Sequence, residues 1–284
     1  MERMLAFVDG SIYSESVCDH TIWIAQKNRS KVSIFNVIDV TETSHNAANF
    51  SGNLIAEARS TLLSELAELD NKRAKLAQKK GRLILENSEA RLIAGGLKNI
   101  DTHLRNGDFV DTLTEFQKEA DILIIGKRGE AANFAKLHLG SNLERLIRAA
   151  NKPVLVAARN FKPIKRVLIG FDGGKSAIRA VEHVSNHDLF KDLECHLLSA
   201  GRIDINRKRK LEAAERLLTE KGRKTKTFKT AGDAETVISD HVEQHNIDLL
   251  VVGAYGHSRI RNLMIGSTTT QMIRSCLIPV LLFR

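Results

Sequence analysis

The sequence predicts an α/β protein built from two tandem, open, parallel β-sheets. Three observations indicate this: the chain repeats itself, short apolar runs alternate with helical patterns, and the runs are rich in Val, Ile and Leu. Continuous apolar strands are typical of parallel sheets that helices cover on both faces. Strands separated by helices join through right-handed crossovers, which produce an open, doubly wound sheet.

The internal repeat is clearest around two glycine pairs. ADILIIGKRG (Ala120–Gly129) resembles IDLLVVGAYG (Ile247–Gly256), since both have an acidic residue, an apolar run and Gly-x-x-Gly. The starts of the copies match as well, because MLAFVDGSIYSE (Met4–Glu15) resembles VLIGFDGGKSAI (Val167–Ile178). A repeat of this length indicates two copies of one fold.

The sequence therefore predicts two domains, residues 1–160 and residues 165–284, joined by a short segment that holds one of the three prolines. Each domain carries five candidate strands. In the first they are Met4–Val8, Val32–Val37, Asp101–Arg105, Ile122–Ile125 and Val154–Ala157. In the second they are Val167–Phe171, Glu194–Leu198, Thr225–Phe228, Leu249–Val252 and Val280–Phe283.

The first copy carries about 36 extra residues in its middle. Most belong to an amphipathic stretch, Leu54–Leu85, in which apolar residues recur at helical spacing. This pattern predicts a long or doubled helix that covers one face of the sheet. The residues that form its apolar face are Ile55, Leu62, Leu66, Leu69 and Leu76.

Composition excludes several classes of protein. No apolar run is long enough to cross a bilayer, and the N-terminal apolar stretch, Met4–Val8, is too short for a signal sequence. Three scattered cysteines without a CxxC pair argue against a disulfide framework or a structural zinc site. We expect a cytoplasmic protein with no membrane segment.

The net charge of +9 permits binding to nucleic acid, anionic lipid or phosphorylated small molecules. Aromatic residues are only 5 %, so platforms that stack on nucleic-acid bases are scarce and that partner is disfavoured. The densest basic stretch, Asn206–Lys229, has one apolar face and interspersed glutamates. It is interpreted as a solvated amphipathic helix with ion pairs.

Two histidine pairs have the i, i+4 spacing that can bind a transition metal on a helix: His183 with His187, and His241 with His245. The sequence shows no third ligand for either pair. Both are therefore interpreted as solvent-facing pairs, and the sequence does not identify metal ligands.

A candidate anion site follows an apolar strand in the second copy, where the chain reads GAYGHSRIRNLMIGSTTT (Gly253–Thr270). Glycines allow close backbone approach, and successive N–H groups in such turns form concave anion sites. The following helix would add its N-terminal N–H groups, and Ser267 and Thr268 can donate hydroxyl bonds. The alternative is that the glycines only shape turns and Ser267 only caps a helix.

The spacing G-x2-G-x9-G-[ST] follows a DLLVVG strand and is followed by a helix and PVLL, and VLIGFDGG stands at the start of the copy. This combination resembles the universal stress protein family. The resemblance covers nearly the whole chain as two tandem family domains. It implies a Rossmann-like sheet of five parallel strands in the order 3-2-1-4-5 in each domain. It also implies that the last strands, in PVLVAA and PVLLFR, pair within the chain to form a pseudo-dimer.

The resemblance implies that the second domain binds ATP, with or without Mg²⁺. The motif loop would hold the phosphates and ribose, the aspartate after the first strand would lie near the adenosine, and backbone after the second strand would touch adenine. The implied binding residues are Asp172, Leu198, Ala200, Gly253, Gly256, His257, Gly266, Ser267 and Thr268.

The first copy departs from the motif. Ten residues rather than nine separate its last two glycines, and Glu130 and Asn142 replace the residues that match His257 and Thr268. A glutamate there would repel phosphate, although Lys127 and Arg128 oppose this effect. A weaker site is predicted from the residues that still match, which are Asp9, Gly126, Gly129, Gly140 and Ser141.

Three functions stay open at this point. The first is a nucleotide-dependent regulator or protector in the stress response. Its protein partner is unknown, and self-association into a homodimer is left open. The second is a slow ATPase on the same scaffold, although no Walker A sequence is present. The third is a module that binds a protein or a lipid-like ligand.

Overall fold

The computed structural model describes residues 3–27, 30–39, 56–129, 141–253, 272–273 and 275–284, without the side chains of 27, 56–60 and 141. In the first half the helices and strands are β1 (Arg3–Phe7), α1 (Ser14–Lys27), β2 (Lys31–Ile38), α2 (Ala56–Ala94), β3 (Ile100–Asn106), α3 (Phe109–Phe116), β4 (Ile122–Gly126), α4 (Ser141–Ala149) and β5 (Val154–Ala157). In the second half they are β6 (Arg166–Gly170), α5 (Lys175–Asn186), β7 (Glu194–Ala200), α6 (Ile205–Glu220), β8 (Lys224–Thr230), α7 (Ala234–Gln244), β9 (Leu249–Gly253) and β10 (Val280–Phe283). All ten predicted strands are present, with bounds that differ by at most two residues.

The strands form one ten-stranded sheet in the order β3-β2-β1-β4-β5-β10-β9-β6-β7-β8. Each half has the predicted order 3-2-1-4-5, and neighbouring strands within a half are parallel. The halves meet where β5 and β10 pair antiparallel, with Leu281 opposite Leu155. The predicted pairing of the last strands is thus confirmed. Because the halves run in opposite directions, the carboxyl ends of their strands lie at opposite edges of the sheet.

Both faces of the central part of the sheet are covered, which explains why the central strands are continuously apolar. Successive residues of the central strands alternate between two buried clusters. In β10, Leu281 and Phe283 belong to one cluster, and Val280 and Leu282 to the other. Both clusters continue through the β5–β10 junction, so the two halves share a buried core on each face of the sheet.

Helix α2 is a single helix of 39 residues, but only its C-terminal half covers the sheet. There it packs so closely that a Cβ on Gly81 would lie 2.5 Å from a methyl carbon of Leu104, and Leu92 is fully buried. The predicted apolar face is wrong for Leu62, Leu69 and Leu76, which are 38 %, 50 % and 66 % exposed, and Ile55 lies outside the described residues. Despite its length α2 is polar, and none of the described helices combines the length and apolar character that crossing a membrane requires.

Candidate functional site

The loop after β6 is held in a tight turn. Asp172 is half-buried, and its Oδ1 accepts a hydrogen bond from the N–H of Gly174 at 2.8 Å. Gly173 has a φ of +79°, a conformation that favours glycine. Gly174 is the N-cap of α5, so the N–H groups of the first turn of that helix point out of the loop without acceptors inside the helix.

Two cationic side chains of α6 reach over this turn. Arg207 donates from its guanidinium to the carbonyl of Phe171 at 3.1 Å, and Nζ of Lys210 donates to the carbonyl of Gly173 at 2.9 Å. Nε of Arg207 is buried and has no hydrogen-bond partner among the described atoms. The interpretation of α6 as a solvated helix is therefore incomplete, because two of its cationic side chains belong to the candidate site.

Gly253, the last residue of β9, lies at the same edge. A Cβ at this position would be 2.3 Å from Oγ of Ser176 and 3.1 Å from the backbone nitrogen of Ala177. The strand end therefore packs directly on the first turn of α5, beside the turn that holds Asp172. The other motif residues of the second copy lie outside the described residues; they are Gly256, His257, Gly266, Ser267 and Thr268.

Leu198 and Ala200 do not lie beyond the second strand of this half, as predicted, but inside it. The carbonyl of Leu198 accepts a hydrogen bond from the N–H of Phe171 at 2.8 Å, and Ala200 pairs with Thr230 of β8. The ladder between β7 and β8 continues two residues further than predicted. The chain leaves the strand at Gly201, whose φ is +83°.

The first half assembles the corresponding edge from Asp9, Gly126 and Gly129. A Cβ at Gly129 would lie 3.0 Å from Oδ2 of Asp9, and one at Gly126 would lie 2.6 Å from Cβ of Tyr13. Oδ1 of Asp9 accepts from the N–H of Ser11 at 2.9 Å, which repeats the turn around Asp172. Gly140 lies outside the described residues, and Ser141 begins α4 with its side chain not described.

The two edges differ in the groups that cover them. The position of Ser176 beside Gly253 is taken in the first half by the larger Tyr13 beside Gly126. A Cβ at Gly10 would lie 2.7 Å from an Ile84 methyl carbon, whereas Gly173 faces Lys210 and Arg207. The second half therefore has a smaller side chain beside its glycine and a more cationic edge.

Lys127 was predicted to offset the charge of Glu130, but it has another role. Only 8 % of the residue is exposed, and its ammonium group donates to the carbonyl of Cys276 in the other half of the chain. Burial lowers the pKa of Lys127 to about 8. This lysine therefore joins the two halves instead of facing a phosphate.

The two histidine pairs have different surroundings. His183 and His187 are half-buried, with ring centroids 4.9 Å apart. His241 is only 7 % exposed, and Nδ1 of the buried His196 lies 2.8 Å from its Nε2. Burial, followed by the neighbouring His245 and His196, lowers the pKa of His241 to about 4. The predicted solvent-facing pair at 241 and 245 is wrong, because β7 supplies a third histidine.

Comparison with known proteins gives one consistent result. A family model described as the universal stress protein family matches residues 1–158 and 198–284. A universal stress protein of Synechocystis is 35 % identical over 100 % of both chains. A universal stress protein of Mycobacterium tuberculosis is 22 % identical over 98 % of this chain and 93 % of its own. The crystal structure of a universal stress protein from Archaeoglobus fulgidus superposes with a TM-score of 0.73 at 20 % identity, covering 99 % of this chain and 98 % of that chain.

Proposed function

Because this chain belongs to the universal stress protein family, we propose that its second half binds ATP and that the protein acts as a nucleotide-dependent regulator or protector in the stress response. One observation carries the proposal. Arg207 and Lys210 meet the turn after β6 at the edge where Gly253 ends β9. Cations, N–H groups at a helix start and a close glycine are the groups that hold phosphates.

Each group has a definable task toward ATP. The ammonium group of Lys210 has three donors, so it can hold the carbonyl of Gly173 and a phosphate oxygen together. The amides of Gly253 and Gly256 and the segment Gly266–Thr268 would cradle the phosphates, with His257 as a further donor. Asp172 would face the ribose or, when Mg²⁺ is present, supply an oxygen ligand.

The base would lie beyond the end of β7. Because Leu198 and Ala200 are engaged in the sheet and the N–H of Gly201 donates to the carbonyl of Thr230, the backbone available to the base edge begins beyond that N–H. Open parallel sheets bind ligands beyond the carboxyl ends of their strands, where the order of the strands reverses. In this half that point lies between β6 and β9, next to both Asp172 and Gly253.

The first half is proposed as the weaker site. Ile84 replaces the two cations over its first turn, and Tyr13 fills the space beside Gly126. We also propose that residues 1–160 and residues 165–284 are the two domains, that the protein works in the cytoplasm, and that its output is regulation rather than turnover.

Calorimetric titration of the full chain with Mg-ATP tests the proposal through a matched pair of lysines on α6. Lys210→Ala removes a charge-assisted bond and should weaken ATP binding about tenfold. Lys208→Ala removes the same charge from an exposed position on the same helix and should change the affinity less than twofold. Equal losses in both variants would mean that only the general positive field attracts the nucleotide.

A second variant probes the glycine cradle. Gly256→Glu places a carboxylate where the phosphates are proposed to lie, and we expect ATP binding in the second half to be lost. If wild type and this variant bind ATP equally well, the proposed site is wrong. Release of ADP over many turnovers, abolished by Asp172→Asn without loss of binding, would support the slow ATPase instead.

A further inference from the structure

We propose that His196, His241 and His245 form a binding site for a single zinc ion. His196 lies in β7, His241 in the last turn of α7, and His245 directly after that helix. One ligand nitrogen from each of the three lies within 4.8 Å of the others. Three imidazoles from two packed elements can thus converge on one ion.

The cluster is separate from the proposed nucleotide site. A helix that follows a strand in an open parallel sheet runs back along it, so the end of α7 lies near the start of β7. Asp172, Gly173 and Gly253 instead follow the carboxyl ends of their strands. The histidines and the proposed ATP site therefore lie at opposite edges of the second half.

The orientation of His196 is set by its neighbour Glu194. Oε1 of Glu194 lies 3.1 Å from Nε2 of His196, which leaves Nδ1 directed at His241. Metal-binding histidines are typically held in this way, with one nitrogen on a carboxylate and the other on the metal. Lys226 donates to the same carboxylate at 2.6 Å and fixes it in turn.

The spacing of the rings is close to the spacing that a zinc ion requires. Zinc–nitrogen bonds of about 2.0–2.1 Å in a tetrahedron place ligand nitrogens about 3.3 Å apart. His196 and His241 are closer than this, at 2.8 Å, and must move apart by about half an ångström. Small rotations about side-chain bonds provide such a change.

The surroundings favour a transition metal and leave one coordination position open. Imidazole nitrogens suit zinc and its neighbours in the first transition row, not the oxygen-seeking Mg²⁺ or Ca²⁺. The ring of Phe228 lies 4.6 to 5.3 Å from the three imidazoles and forms an apolar wall. His196 and His241 are buried whereas His245 is half-exposed, so solvent reaches the cluster from one side.

The alternative is a purely structural group of neutral imidazoles that share hydrogen bonds. Burying the rings of His196 and His241, with two polar nitrogens each, is costly unless those nitrogens are satisfied. A metal would satisfy one nitrogen of each ring and would link α7 to β7. Zinc binding is therefore expected to stabilise the folded protein as well as to occupy the site.

The test uses the untagged full chain after treatment with a chelator and removal of the chelator. Calorimetric titration with Zn²⁺ should show one equivalent bound, with a dissociation constant in the micromolar range or below. Co²⁺ added instead should give the visible absorption of a four-coordinate ion. His245→Gln should weaken binding about 100-fold, and the melting temperature should rise with Zn²⁺ in wild type but not in this variant.

The second histidine pair supplies the control. His187→Gln removes a histidine of the same i, i+4 spacing in a place where no third histidine is grouped with it among the described residues. It should retain the full affinity. Because His245 is half-exposed, its replacement should leave the far-ultraviolet circular dichroism unchanged, which separates loss of ligation from loss of fold. Absence of one-equivalent binding in wild type, or its survival in His245→Gln, would overturn the proposal.

Discussion

Replacing Arg223 by methionine is expected to lower the free energy of unfolding by about 3 kcal/mol or more. Only 7 % of this arginine is exposed. Its Nε donates to the carbonyl of Val184 at 3.0 Å, and one terminal nitrogen donates to the carbonyls of Ser185 and His187 at 2.8 and 2.9 Å. These carbonyls belong to the end of α5 and the residue after it, where helices leave carbonyls without partners.

Methionine fills a similar volume but donates no hydrogen bond, so the buried carbonyls of Val184 and Ser185 would lose their donor. The carbonyl of His187 would keep the hydrogen bond that it accepts from the N–H of Phe190 at 3.2 Å. Denaturant unfolding should show the loss as a lower midpoint with an unchanged slope. Arg216→Met, at an exposed position on α6, is the matched control and should stay within about 0.5 kcal/mol of wild type. A loss of similar size in both variants would show that the buried contacts contribute little.

The second large effect is a pH dependence that originates at Lys127. Burial lowers its pKa in the folded protein from 10.5 to about 8. Between these pH values the unfolded chain binds more protons than the folded one, so stability contributed by this group rises with pH. The two pKa values differ by about 2.5, which corresponds to about 3 kcal/mol gained between pH 8 and pH 10.5.

Other groups titrate in the same pH range, and their contribution to the free energy of unfolding must be subtracted. Burial raises the pKa of Cys18 and of Cys195 to about 11, which makes stability fall as the unfolded thiols ionise. Lys127→Met keeps these thiols and removes the buried amine, together with the charge that lowers the pKa of the Cys276 thiol, which burial raises. The free energy of unfolding of wild type minus that of Lys127→Met should therefore rise from pH 8 to pH 10. A difference that is flat or falls with pH would contradict the assignment.

Most of the fold could be predicted because its causes are local. Runs such as Leu249–Val252 are apolar on both faces, and the sequence spacing between them leaves room for one helix each. The order of strands came from the resemblance, and the pairing of Leu155 with Leu281 confirms the expected junction. Periodicity failed at Leu62, Leu69 and Leu76, since an apolar spacing on a helix does not specify which surface meets it.

The candidate sites depended on contacts between distant parts of the chain. His196 lies 45 residues from His241, and only the packing of α7 against β7 brings the two rings together. Arg207 and Lys210 stood in a charged stretch whose composition resembles any solvated helix. Their place in the first turns after β7, close to the ligand edge of an open sheet, was the signal that could have identified them.

The antiparallel junction of β5 and β10 also determines how this sheet ends. Two separate five-stranded sheets would each present a bare apolar margin, VLVA in one and VLLF in the other. Here those margins cover each other, and the outermost strands become β3 and β8. Both carry charges, including the lysines of KTKTFKT, and charged margins discourage the addition of a foreign strand. The protein is thereby protected at its sheet margins from the strand-by-strand growth that leads to aggregates.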